Sequence, residues 1–403
     1  MSQSNSNSKS SSKSKSTLES EQVRLHRLLF ERLYNACGYG ELREVKHLVR
    51  VGADVNTGNP HENGMTPLMV ASGHGHLEVV RFLFISKADI NKADNNGATP
   101  LMVASGNGHL EIVRFLVIWN ADINKADNNG ATPLMVASGC GQLEIVRFLV
   151  ISNADINKAA DNGMTPLIAA SSNGQLEIVR FLVISNADIN KADNNGMTPL
   201  IMASGCGHLE IVRFLVISNA DIDKADNDGA TPLIAASGNG HVEVVTLLLD
   251  NHADINKAEN CGDTPLHIAS YNGHVDVVTL LLHKHADLEM ADIYGDTPLH
   301  DACSEGHLHI VDALLHAKAN MLHINNQGHT PLDVAKTNEI KQCIIKHPWY
   351  RRRQLMLMRP HADHRSNKKN RMTALAWILT AKETGDGEDV ELFDLKRVVA
   401  SFL

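Results

Sequence analysis

The chain has 403 residues, 43% of them hydrophobic and 21% charged, with a formal net charge of -9. That composition excludes a wholly disordered or collagen-like protein and leaves ample apolar side chain for a core. No run approaches the ~18 uninterrupted apolar residues of a membrane span, and the N-terminus lacks the apolar stretch of a secretory signal, so the reading is of an intracellular chain without membrane insertion.

In chain order, residues 1–20 (MSQSNSNSKSSSKSKSTLES) carry a charge of +2 and too little apolar surface to order, which predicts a disordered Ser/Lys-rich tail. Residues 21–65 follow as an N-terminal capping unit, EQVRLHRLLFER leading into LYNACGYGELREVKHLVRVGADVN. From there Thr-Pro-Leu recurs at Thr66, Thr99, Thr132, Thr165, Thr198, Thr231, Thr264, Thr297 and Thr330, always 33 residues apart. Residues 66–347 are therefore nine repeats, and the capping unit is a diverged tenth.

One copy serves for all. In GATPLMVASG, Thr99 is placed to cap a short helix, Pro100 suits its first position, and Gly106 ends it after about two turns. In HLEIVRFLVI, Leu110, Val113, Leu116 and Val117 form one apolar face with Glu111 and Arg114 outward, which predicts a second helix. ADINKADNNG then changes to turn chemistry, with Gly97 and its counterparts suited to a tight hairpin. Two short helices cannot bury each other, so neighbouring units complete the core. The last unit, TPLDVAKTNEIKQCIIKH, loses the Gly-x-Gly-His turn and reads as a C-terminal cap.

A 33-residue period of Gly-x-Thr-Pro-Leu, Ala, Gly-His-Leu-Glu-Ile-Val and Ala-Asp-Ile-Asn resembles the ankyrin repeat over roughly residues 29–347. The resemblance implies a mainly α solenoid of stacked helix-turn-helix units with β-hairpin loops. It also implies protein binding through the hairpin tips and the concave face of the first helices. The family's Gly after the second helix survives only at Gly52; Lys87, Asn120, Asn153, Asn186, Asn219, His252, His285 and Lys318 replace it, so these must turn left-handed without Gly.

Catalytic and metal chemistry find no support. Gly106-Asn107-Gly108 follows a helix, not a strand, and lacks the remaining elements of a phosphate loop. His76, His109, His208, His241, His274 and His307 share one column, but units stacked ~8–10 Å apart cannot place them around one ion, so hydrogen bonding at the start of each second helix is expected. The six cysteines show no Cys-x-x-Cys pairing, and no disulfide is expected. The expectation is a non-enzymatic monomer with protein partners and no cofactor, metal or small-molecule substrate.

Binding residues are sought where the exposed columns vary. The early hairpins are nearly uniform; the last three are not, and Asp263, Tyr271, Tyr294, Asp296, Asp301, Glu305 and His329 depart from the repeated letters. Two tyrosines among carboxylates suit a basic or Arg-bearing partner. The alternative is sequence drift outside a recently duplicated middle. Asn56, Asn91, Asn124, Asn157, Asn190 and Asn256 lie in a Leu-x5-Asp-Val/Ile-Asn pattern resembling that of ankyrin repeats modified by asparaginyl hydroxylases, although turn chemistry also accounts for it.

Residues 348–403 carry +4, leaving -15 between the two tails. Residues 348–371 form a basic linker with Arg351, Arg352, Arg353, Lys368, Lys369 and Arg371, open to reading as solvated linker, nuclear targeting or nucleic-acid contact. Residues 372–403 predict two helical segments, the second with Leu392, Leu395, Val399 and Phe402 in one stripe. The function read from the sequence is an adaptor or scaffold, cytoplasmic and open to a nuclear location. The alternatives are a nuclear regulator whose basic segment touches nucleic acid, and a substrate-receptor subunit of a ubiquitin ligase.

Overall fold

The computed structural model describes the backbone of residues 8–348 and the side chains of 24–348. The basic segment and the C-terminal helical segments lie outside the described residues, as do residues 1–7. Among the described residues there are twenty helices and no strand. The first helix, α1 (Ser8–Tyr39), takes in residues whose composition predicts a disordered tail. Ser and Lys carry only small helix penalties and no Pro or Gly interrupts them, so a helix seeded by the packed end extends through them. That packed end buries Phe30, Leu33, Tyr34 and Cys37 and serves as the first helix of the capping unit, with α2 (Leu42–Arg50) as the second.

Eight helix pairs follow: α3 (Pro67–Gly73) and α4 (Leu77–Ile85), α5 (Pro100–Gly106) and α6 (Leu110–Ile118), α7 (Pro133–Gly139) and α8 (Leu143–Ile151), α9 (Pro166–Ser172) and α10 (Leu176–Ile184), α11 (Pro199–Gly205) and α12 (Leu209–Ile217), α13 (Pro232–Gly238) and α14 (Val242–Asp250), α15 (Pro265–Asn272) and α16 (Val275–His283), α17 (Pro298–Glu305) and α18 (Leu308–His316). The last unit pairs the shortened α19 (Pro331–Val334) with α20 (Asn338–Lys346). Odd-numbered helices pack on odd and even on even, giving an inner and an outer layer around one continuous core.

The capping chemistry is as the sequence predicts. The Met102 N–H donates to Thr99 Oγ1 at 3.2 Å, a bond repeated in six further units from Thr66 to Thr264. The eight non-Gly residues that end the second helices all turn left-handed, with φ between 62° and 74°. Gly106 is the last helical residue, as the sequence predicts, and a Cβ there would press on Val136 Cγ1 at 2.9 Å, while the left-handed turn falls on Gly108 at φ 83°. On the second helices Ile112 joins Val113 and Leu116 in the core, and Leu110 and Val117 lie half-buried.

The hairpin loops are hydrogen-bonded turns. Each gives one backbone N–H to the tip before it, as from Asn95 to Asn63 O at 2.7 Å and from Asn326 to Tyr294 O at 2.9 Å. One bond per neighbour is too few for a strand ladder, and among the described residues the single isolated bridge joins Asn59 to Met65 in the longer first loop. Gly97 is required at its tip twice over: φ is 82°, and an added Cβ would meet Asn128 N at 2.6 Å.

Candidate functional site

The two repeated polar columns resolve as inter-unit fastenings. His109 Nε2–H donates to Gly73 O at 2.9 Å, and His76, His208, His241, His274 and His307 reach the equivalent carbonyl of the unit before. Those carbonyls end the preceding inner helix, where no intrahelical donor remains. Asn91 Oδ1 accepts from Asp122 N at 2.8 Å, and Asn56, Asn124, Asn157, Asn190 and Asn256 do the same one unit on. Asp223, which breaks the Asn pattern, accepts the same bond from Asp254 N at 3.0 Å. An acceptor oxygen is what this inter-unit bond uses, from Asn and Asp alike. All six cysteines are free thiols.

The variable residues of the C-terminal units fall into three places. Asp263, Asp296, Asp301 and Glu305 belong to one electrostatic group, because the Asp301 carboxyl is pushed up to about 8 by burial and by Asp263, Asp292, Asp296 and Glu305. Tyr294 rises at the hairpin tip between Asp292 and Asp296 and is 58% exposed; Tyr271, 53% exposed, stands near the far end of α15. His329 is set apart: it acts on Asp333 of the last unit, while its carbonyl accepts from His300 Nε2 at 3.3 Å.

Sequence reasoning missed Asp292 and Glu259. Both occupy the column of Asp94, whose carboxylate accepts from Asn96 N and Ala98 N to fold the tip. Asp292 does this too, accepting from Tyr294 N at 2.9 Å and Asp296 N at 2.7 Å. A search for varying columns passes over a carboxylate that most units carry, although here it adds to a local excess of charge. Few cations offset that excess. Lys336 Nζ lies 3.6 Å from Glu305, and Asn325 Nδ2 donates to Asp296 Oδ1 at 2.7 Å.

Two triads in this region, Glu259–Cys261–Asp263 and Asp263–His267–Asp301, bring metal-ligand atoms within 4.8 Å of one another. Their hydrogen bonds argue against ligation. His267 Nδ1 accepts from Thr264 N at 3.2 Å and Nε2–H donates to Asp296 O at 3.2 Å, so neither nitrogen has a lone pair to give. Burial pushes His267 toward its neutral form. The Cys261 thiol donates toward Glu259 and Asp263, and the bond to Glu259 leads in pushing it up to about 12, far from a reactive thiolate. The arrangement offers carboxylate acceptors and exposed aromatic rings, the materials of cation recognition.

A family model described as ankyrin repeats (3 copies) matches residues 33–127, 86–160, 151–226, 216–292 and 285–346. Among solved structures, the ankyrin repeat domain of human ASB11 aligns at a TM-score of 0.50 and 27% identity, over 53% of this chain and 97% of that one. No curated protein matches the chain. No described helix is long and apolar enough to cross a membrane.

Proposed function

The chain belongs to the ankyrin-repeat family, and from that premise we propose that it is a non-catalytic adaptor whose C-terminal inner face grips a basic segment of a partner protein. The repeats are a protein–protein interaction module; the adaptor role and the choice of face are the proposal. One observation carries it: burial first, and then the charges of Asp263, Asp292, Asp296 and Glu305, push the Asp301 carboxyl up to about 8, and the hairpin tip that supplies Asp292 and Asp296 also exposes Tyr294. An arriving guanidinium relieves that repulsion and can lie against an aromatic face. The uniform units from residue 66 to 228 hold this face at the end of a long, stiffly bonded stack.

Affinity purification of the full chain beside D263N/D296N/D301N and Y271A/Y294A tests the reading. Both variants keep the wild-type circular dichroism and lose the same partners, and the lost partners share Lys/Arg-rich segments. An unchanged partner set with either variant contradicts it.

A further inference from the structure

Ile85, Ile118, Ile151, Ile184 and Ile217 end five successive outer helices, and each is between 69% and 77% exposed. They form a column of solvent-facing apolar rungs about 35 Å long at ~8–10 Å per unit. The fold does not require them: Arg50, Asp250, His283, His316 and Lys346 hold the same place in the other units. Half-buried Phe148, Phe181 and Phe214 run beside the column, each with the previous unit's Arg over its ring at 5.6–5.9 Å. A contiguous exposed stripe of this length marks a covered surface.

We propose that residues 392–402 of this chain cover it, packing Leu392, Leu395, Val399 and Phe402 across Ile184 and Ile217. The chain leaves the array on the ladder's own column. Helix α20 is the outer helix of the last unit, Lys346 occupies the rung position, and the His347 ring meets His316 with centroids 5.9 Å apart. Ile217 stands four units further along, about 36 Å away. The sequence predicts a helix of about 15 Å over 372–382, and the other 33 residues of 348–391 would reach about 30 Å as a flexible linker, together enough to meet Ile217. That reach favours Ile217 and Ile184 over the distant Ile85. The segment's spacing predicts a helix about 15 Å long with one apolar stripe, enough for two rungs. Its polar positions Asp394, Lys396 and Arg397 find opposite charges in the exposed Arg180–Glu177 and Arg213–Glu210 pairs beside the ladder. This contact is independent of the acidic inner face.

The test is hydrogen exchange on the full chain, wild type, I184K/I217K and L395K/F402K, with the molar mass of each from light scattering. The expected result is a monomer in which amides of 390–403 exchange at least ~10-fold more slowly in wild type than in either variant, while α10 and α12 stay protected throughout. Equal exchange of 390–403 in all three chains overturns the proposal. So does loss of protection in L395K/F402K alone, which places the segment elsewhere, and so does a wild-type dimer that I184K/I217K dissociates, which makes the ladder a contact between two copies.

Discussion

Asp301 is the residue on which charge, burial and recognition meet. Its carboxyl, pushed up to about 8 by burial and the neighbouring carboxylates, holds its proton at neutral pH, whereas in the unfolded chain it ionises near pH 4. The folded state therefore binds the proton more tightly, and this group's contribution to stability is full below about pH 4 and is lost as pH rises toward 8. D301N removes the dependence, so its melting temperature relative to wild type rises steadily between pH 5 and pH 8.5; a constant difference contradicts the assignment. A basic segment bound at this face expels the proton, so calorimetric binding enthalpy varies with the ionisation enthalpy of the buffer at pH 7. The sequence shows an Asp at this position but not its protonation, because that depends first on its burial in the fold and then on the carboxylates of Asp263, Asp292, Asp296 and Glu305 brought near it.

A quieter set of residues repeats in the core. Ser72, Ser105, Ser138, Ser171, Ser204, Ser237 and Ser270 are fully buried in the inner helices, and no protein group pairs with their hydroxyls. Replacing Ser138 with Ala removes an unmet donor and improves helix propensity, with an expected gain of about 1 kcal/mol in urea unfolding. A loss on that substitution would show that the hydroxyl has a partner in solution.

At the scale of the helix, periodicity was readable but exposure was not. The sequence places Leu116 in the core and leaves Ile118 simply as another apolar residue of the same run. Leu116 is fully buried and Ile118 is 69% exposed. Truncation separates them: L116A costs ~2–5 kcal/mol, while I118A in the array alone stays within ~0.5 kcal/mol. Similar losses for the two would contradict the outer layer as drawn. The helix ends were legible in more detail. Every substitution for the family's Gly falls where the backbone turns left-handed, because that turn is set by the chain's return to the next hairpin, whatever side chain stands there. Helix α1 was less legible, since composition measures the ability to pack and not the ability to extend a helix already begun.

The whole molecule is a line of near-identical units whose sameness is structural. Thr caps, His and Asn fastenings and left-handed helix ends repeat along most of the array; the caps, the left-handed ends and hydrogen bonding by the His column could be named from a 33-residue period, whereas the Asn column reads in the sequence as turn chemistry and bonds the next unit in the structure. What could not be named is what the repetition assembles on its surfaces: a ladder of exposed isoleucines on the outer layer, and carboxylates that gather only where the late units depart from the pattern. The central claim is that the second of these is the binding face. Zero-length carbodiimide cross-linking of the full chain with its captured partners, mapped by mass spectrometry, addresses it directly by joining carboxylates to lysines in contact. The account predicts cross-links from Asp263, Asp296 or Glu305 to lysines of a basic partner segment; cross-links confined to the uniform tips between residues 89 and 228 or to the outer-helix glutamates would contradict it.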